Sequence, residues 1–374
     1  MDRTIKGRSR GDHGGDVYSH PRADVLDLSA NVNPEDIPSA LWDALPELLR
    51  EARRYPDLEY QALRQQIARY LQREEGLQVR LNQILPGNGA VSLLDAALSL
   101  ERQVLMMRPA FSEYEASCRR HGIPCHFLDR PPKSSVVLGD AEATALKDKL
   151  REGPDISALI LCHPNNPDGK RWDRQSFSDL LAFCQARGVR ILLDATFSEY
   201  LPQEQRLTDY GRQHPFLVEI RALTKFFGLP GLRLGYALSS DEGYLEKLSG
   251  RMTPWAVGTF AAGLGSLLLQ EEAFIEKSRR DNETRRLLWT KALVQSGAFE
   301  RVYPSCANFL MVYSKEFEAL CANLSHEGIL LRSLKNLPAL GEGYGRICVK
   351  KEEDLSRLLR ALASVSPKNS TESP

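Results

Sequence analysis

The sequence predicts an α/β fold, with a mainly parallel sheet in a large domain and a smaller α+β domain, on three observations. Short apolar runs bounded by turn residues recur at Val104–Met107, Ala158–Cys162, Val189–Leu193, Phe216–Ile220 and Leu234–Leu238; such runs suit strands buried on both faces. Polar helical stretches such as Arg174–Arg187 lie between several of them, the alternation of a parallel sheet with crossover helices. From about Arg251 the pattern changes to a long helix over Glu271–Gln295, short strands at Phe309–Val312 and Arg346–Val349, and a last helix over Glu352–Ala363.

Taken in order, Tyr60–Gln72 is helical because Leu63, Ile67, Tyr70 and Leu71 share one face, and Gly76 suits its end. Pro86-Gly87-Asn88-Gly89-Ala90-Val91 then leads into the helical SLLDAALSL. A Gly-rich turn opening a helix aims backbone N–H groups and the positive dipole end at a phosphate, although a loop-to-helix junction calls for glycine in any case. Neither GxxxxGK[ST] nor GxGxxG is present, which disfavours a nucleoside triphosphate and a dinucleotide. The expected partition is an N-terminal arm over 1–44 joining the small domain, a large domain over 45–250, a small C-terminal domain over 251–366 and a disordered tail over 367–374.

Composition narrows the function. The 374 residues are 42% hydrophobic and 26% charged, enough to bury a core. Lys+Arg and Asp+Glu are 49 each, a formal net charge of +0, so no global field draws the chain to nucleic acid or an anionic membrane. The charged start MDRTIKGRSR is no secretory signal. The apolar stretch Ala256–Leu269 is shorter than the ~18–20 residues of a span. Seven cysteines, scattered and never as CxxC, read as reduced thiols of a cytoplasmic protein, with no disulfide frame and no metal site.

In open α/β sheets, sites form just past the strand ends, and the first three of four candidates lie there. Lys225 follows a strand in an apolar setting, where partial burial lowers an amine's pKa and frees a nucleophile for an aldehyde; alone it would be an ordinary surface lysine. Thr224 beside it and Arg233 eight positions on could form an anion pocket. Asp194 ends the run VRILLD and would either hold a cationic ring nitrogen or cap a turn. Asn166, in HPNNPDG after SALILC, could donate to a ring oxygen, or the segment could simply be a turn. Arg346, in GYGRICVK, lies on a short alternating strand, and its planar fork suits bidentate capture of a carboxylate.

Together, NNPDG, LDATF, LTK with GLRLGY, and GRICV, in that order, resemble the fold type I pyridoxal-phosphate (PLP) enzymes of the class I/II aminotransferase superfamily, from about Asp27 to Ala363. The resemblance implies the PLP-dependent transferase fold, with a mainly parallel, seven-stranded-type sheet in the large domain, and PLP as cofactor. It implies that Lys225 joins the cofactor, Asp194 pairs with the pyridine nitrogen, Asn166 bonds the ring hydroxyl, Phe111 stacks on the ring, and Gly89, Ala90, Val91, Thr224 and Arg233 cup the phosphate. Tyr55 matches a tyrosine that reaches the partner subunit's cofactor, which implies a homodimer with shared active sites. Arg346 matches the arginine that holds a substrate carboxylate. Many relatives carry tyrosine three positions after the aspartate; Phe197 stands there in this chain.

Within the superfamily the chain is most similar to the L-threonine-O-3-phosphate decarboxylases of cobalamin biosynthesis, through His13-Gly14-Gly15, LDLSANVNP and LTKFFGLPGLRLGY. Asp16 stands where that arm usually continues with asparagine. The similarity implies PLP-dependent decarboxylation of L-threonine O-3-phosphate to (R)-1-aminopropan-2-ol O-phosphate. The substrate, a small phosphorylated amino acid, would meet His13, Gly14, Asn31 and Arg332 at its phosphate. The alternative is a histidinol-phosphate or related aminotransferase, which would share most of these residues. A non-catalytic PLP-fold regulator is disfavoured, because only about 25 residues precede Asp27, too few for a DNA-binding domain.

Overall fold

The computed structural model describes residues 14–153 and 155–365; His13 and the 367–374 tail lie outside them. Along the chain run β1 (Leu26–Asp27), α1 (Ser39–Glu51), α2 (Gln61–Glu75), β2 (Ile84–Gly87), α3 (Gly89–Leu98), β3 (Val104–Arg108), α4 (Ser112–His121), β4 (Cys125–Asp129), β5 (Val137–Leu138), α5 (Asp140–Glu152), β6 (Ala158–Cys162), β7 (Arg171–Trp172), α6 (Arg174–Ala186), β8 (Arg190–Asp194), α7 (Thr208–Gln213), β9 (Leu217–Ala222), β10 (Gly235–Leu238) and α8 (Glu242–Ser249).

Seven of these strands form one sheet in the order β2-β10-β9-β8-β6-β3-β4. The ladders joining β9, β8, β6, β3 and β4 are parallel; β10 runs antiparallel to both its neighbours. Alternation along each strand feeds two cores. Leu105, Leu159, Ile191 and Leu217 pack with Leu146 of α5 and Phe177 and Leu181 of α6. Met106, Ile160, Leu192 and Val218 pack on the other face with Leu93 and Leu94 of α3 and Tyr114 of α4. Burial on both faces is why these strands read as unbroken apolar runs, and each buried Leu or Ile contributes about 1.5–3 kcal/mol. β2 and β4 had no such signature: ILPG is masked by its turn residues, and CHFLD lies at the sheet edge, half-buried. β5 and β7 make a separate parallel pair.

The remaining elements are α9 (Thr259–Leu268), α10 (Glu272–Gln295), β11 (Arg301–Tyr303), β12 (Phe309–Tyr313), α11 (Phe317–His326), β13 (Ile329–Leu330), β14 (Arg332–Ser333), β15 (Tyr344–Cys348) and α12 (Glu352–Val365). An antiparallel sheet, β11-β12-β15-β14, packs Leu310, Val312 and Ile347 against Trp289 and Leu293 of α10 and Leu358 of α12. β1 pairs in parallel with β13, and Leu28 O accepts from Cys348 N at 2.8 Å, so the 26–28 segment is stitched to this C-terminal region. Among the described residues, no helix is long and apolar enough to cross a membrane.

Candidate active site

The parallel strands deliver their following loops to one edge of the large sheet. Cys162 and Asp194 are register partners at the ends of β6 and β8. Gly235, at the start of β10, sits opposite both Gly87, the end of β2, and Ala222, the end of β9. Asn166, Asp194, Lys225, Gly89 and Arg233 therefore follow or flank adjacent strand ends.

Lys225 is held from the N-terminal segment. Asn33 N donates to Lys225 O at 3.0 Å, and Asn33 Nδ2 donates to Phe226 O at 2.6 Å. Burial lowers the Lys225 amine from 10.5 to about 8, and the charges of Arg346 and Arg233 push the same way. Thr224 beside it is buried. Asp194, 5% exposed, takes Thr196 N–H on Oδ1 at 3.0 Å and the Tyr114 hydroxyl on Oδ2 at 2.5 Å. Burial raises its carboxyl above the ordinary value, against these bonds and the charge of Lys225.

Arg346 bridges two segments. Its Nη1 donates to Asn166 Oδ1 at 2.5 Å and its Nη2 to Ser29 O at 3.0 Å, while its buried Nε has no partner. Arg332 is its register partner on β14, so two guanidinium side chains leave the same face of the small sheet. Burial, then the charge of Arg332, bring Arg346 down to about 10. Two close guanidinium groups and an unpaired N–H suit an anion. Asn31, just after Ser29 and Ala30, is buried with Oδ1 unpartnered. Gly14 lies so close to Ser29 that a Cβ there would sit 2.2 Å from Ser29 O; the described start of the arm thus touches the segment that Arg346 grips.

At the phosphate end of the expected site, α3 begins at Gly89, whose φ of +75° suits glycine and where a Cβ would meet Arg233 Nη2 at 3.0 Å. The start of the helix and this guanidinium are thus packed together, with Ala90 buried and Val91 half-buried in the first turn. A cleft of about 1300 Å³ opens here, lined by Val91, Phe111 and Arg233 on one side and Leu337 and Pro338 on the other; its lining stops short of Lys225 and Asp194. Tyr55 is 79% exposed and stacked on Trp255 at 4.5 Å. Phe197 packs edge-on to Phe309 at 5.0 Å, and Phe309 in turn lies under the Arg346 guanidinium at 5.5 Å.

Several supporting residues escaped the sequence reading. Tyr114 carried a faint signal, three positions after Phe111 in the first turn of a helix. His163 is fully buried: Trp172 N donates to its Nδ1 at 3.0 Å, which leaves Nε2 to donate to Gln205 O at 3.0 Å. Burial lowers it to about 3, so it is a neutral brace for the 163–169 loop. Beyond the Asp194 turn lies a buried ion cluster. Arg221 of β9 donates to Glu75 at 2.6 Å, Glu199 at 2.8 Å and Glu219 at 2.8 Å, and Arg206 joins Glu75 at 2.9 Å. Burial would raise Glu75, but Arg221 and Arg206 overcome it and hold it at about 2. The cluster ties α2, the turn after Asp194 and the strand before Lys225 into one unit. Its signal was Glu219 and Arg221 at alternate positions in an otherwise apolar strand.

The aminotransferase class I and II family model matches residues 23–362. Threonine-phosphate decarboxylase of Salmonella typhimurium is 32% identical over 346 residues, 91% of each chain. Histidinol-phosphate aminotransferase from Clostridium acetobutylicum superposes with a TM-score of 0.83 at 27% identity, covering 91% of this chain and 99% of that one. L-threonine-O-3-phosphate decarboxylase from Porphyromonas gingivalis shares the fold with a TM-score of 0.75 at 24% identity, covering 90% and 98%.

Proposed function

The chain belongs to the aminotransferase class I and II family, which is pyridoxal-phosphate-dependent, and from that premise we propose that it decarboxylates L-threonine O-3-phosphate to (R)-1-aminopropan-2-ol O-phosphate in cobalamin biosynthesis. The observation that carries the reading is the pairing of Arg332 and Arg346 across β14 and β15, with an unpartnered Nε on Arg346. A substrate with a carboxylate at one end and a phosphate at the other matches two such cations. The 32% identity to the Salmonella typhimurium enzyme and Phe197 in place of the tyrosine of many aminotransferases point the same way.

The residues fit the cofactor. The glycine start of α3 against Arg233 is a cradle a side chain would fill, and it suits a phosphate, with N–H groups from Ala90 and Val91 and the Thr224 hydroxyl. Phe111 would stack on the ring. Arg346 occupies the Asn166 oxygen, which leaves Nδ2 to donate to the ring hydroxyl. Asp194 would hold the ring nitrogen, and Lys225 would carry the cofactor. Pyridoxal phosphate, when bound, supplies an aldehyde for the substrate amine and a ring that draws electrons from Cα.

Everything else is orientation. Arg346 and Arg332, with Asn31, Gly14 and His13, fix the substrate by its two ends, and so decide which Cα bond stands perpendicular to the ring. Equal grip on the carboxylate before and during its loss would not speed the step, so the phosphate end sets the orientation and Arg346 positions. After CO2 leaves, a proton must return to Cα. Once the substrate amine had taken its place on the cofactor, the freed Lys225 Nζ would be the donor.

A homodimer with shared sites is part of this reading. Tyr55 and Trp255 are exposed and stacked on each other, an apolar pair that a second copy of the chain would cover. Seven free cysteines suit the cytoplasm. The structural likeness to a histidinol-phosphate aminotransferase at 27% identity favours the second reading, amino transfer. The test is a product assay on threonine phosphate and serine phosphate, with and without 2-oxoglutarate. CO2 release from threonine phosphate without an acceptor is expected; amino transfer to 2-oxoglutarate with no CO2 overturns the proposal.

A further inference from the structure

Asp194 reaches its buried position with two neutral donors and no salt bridge within 4.0 Å among the described residues. Thr196 N–H occupies Oδ1 at 3.0 Å and the Tyr114 hydroxyl occupies Oδ2 at 2.5 Å. Tyr114 is 2% exposed, in the first turn of α4, and its ring stands edge-on to Phe111 at 5.6 Å. One helix turn thus presents both the ring expected to stack on the cofactor and the hydroxyl bound to the acid expected to meet its nitrogen. We infer that Tyr114 is a positioning residue for the reaction: its hydroxyl keeps the Asp194 carboxylate ionised and aimed, so that the proton shared with the ring nitrogen stays on nitrogen. The inference rests on the coenzyme reading of Asp194 given above.

The groups facing Asp194 from the elements around it are Tyr114 from α4, Cys162 from β6, Thr196 from its own turn and Lys225 from the loop after β9. Cys162 is not a competing donor, because its Sγ donates to Pro164 O at 3.2 Å. Burial raises the Asp194 carboxyl, and the Thr196 and Tyr114 bonds are the chief opposing contributions, ahead of the charge of Lys225. Burial and the charge of Asp194 hold the Tyr114 phenol well above its ordinary value, so it remains a donor over the working pH range. Neutrality is what makes a phenol suitable. An arginine or lysine here would also keep the carboxylate ionised, but it would cancel the charge the ring nitrogen needs. The phenol bonds to the carboxylate and leaves its charge in place.

The test uses the apoprotein with 13C-labelled aspartate, the Asp194 carboxyl signal being identified by its loss in Asp194→Asn. Tyr114→Phe is expected to move its titration midpoint up by about one to two pH units, the worth of a charge-assisted hydrogen bond. Site-specific 3-fluorotyrosine at 114, a stronger acid and donor, is expected to move it down. In the holoenzyme, Tyr114→Phe is expected to lower kcat about 10- to 100-fold with little change in KM. A midpoint that either folded variant leaves unmoved, or moves in the opposite direction, overturns the inference. If Tyr114→Phe does not fold, the fluorotyrosine protein decides alone. The titration needs no cofactor, so its failure is distinct from failure of the coenzyme reading, which would show as no borohydride-stable attachment of pyridoxal phosphate to Lys225.

Discussion

The perturbed amine of Lys225 can be measured directly. Burial first, and then the Arg346 charge, bring it from 10.5 to about 8. At pH 7 about one tenth of a lysine at 8 is neutral, roughly 300-fold more than for a lysine at 10.5. Competitive labelling of the apoprotein with trace acetic anhydride, read residue by residue by mass spectrometry, reports the neutral fraction. Labelling of Lys225 should rise about tenfold between pH 6 and 7, then level off above pH 8. Arg346→Gln removes a positive charge facing the amine, so the midpoint should move up and labelling at pH 7 should fall. The sign carries over to stability. The folded chain binds fewer protons at this site than the unfolded chain between about 8 and 10.5. The unfavourable contribution of charged Lys225 is therefore full below 8 and fades as pH rises to 10.5. A wild-type midpoint near 10.5, or a downward movement in Arg346→Gln, would refute the reasoning.

Three further outcomes are expected. Arg346→Gln should raise KM for an amino-acid phosphate about 10- to 100-fold, the loss of a charged hydrogen bond to a carboxylate; steady-state kinetics with the holoenzyme check it, and an unchanged KM would place the carboxylate elsewhere. Arg221→Ala leaves buried Glu219 without a charged partner and takes one of the arginines from Glu75 and from Glu199, and should cost about 3–5 kcal/mol; urea denaturation measures it, and a loss under about 1 kcal/mol would mean the cluster holds nothing in place. Gly89→Ala forces a side chain onto a φ of +75° and against Arg233, a strain of about 1–2 kcal/mol, and should weaken pyridoxal-phosphate affinity roughly tenfold in an equilibrium titration.

The core site residues that can be read in advance share one property: Lys225, Asp194, Asn166, Phe111 and Gly89 each lie within a few positions of a strand end or a glycine turn. Lys225, Asp194 and Asn166 follow apolar runs whose ends are visible as abrupt polarity changes, and Gly89 marks a helix start. What stayed hidden was held by distant partners. Tyr114 meets Asp194 across 80 residues, Arg221 meets Glu75 across 146, and Arg346 meets Ser29 across 317. Arg332 and Arg346 are both visible as candidates in the sequence, but their register as opposite neighbours depends on how β14 and β15 align. Asn33, the clamp on Lys225 and Phe226, looked like one more polar residue in a loop.

By itself, then, the chain of letters determined the layered α/β architecture and the central strands β3, β6, β8, β9 and β10, because hydrophobic periodicity and turn chemistry act over a few residues. Only the tertiary structure decided which polar groups are buried together and what state each holds. A carboxylate, an amine or a guanidinium takes its charge and direction from neighbours that arrive from anywhere in the chain, and from the water that those neighbours exclude.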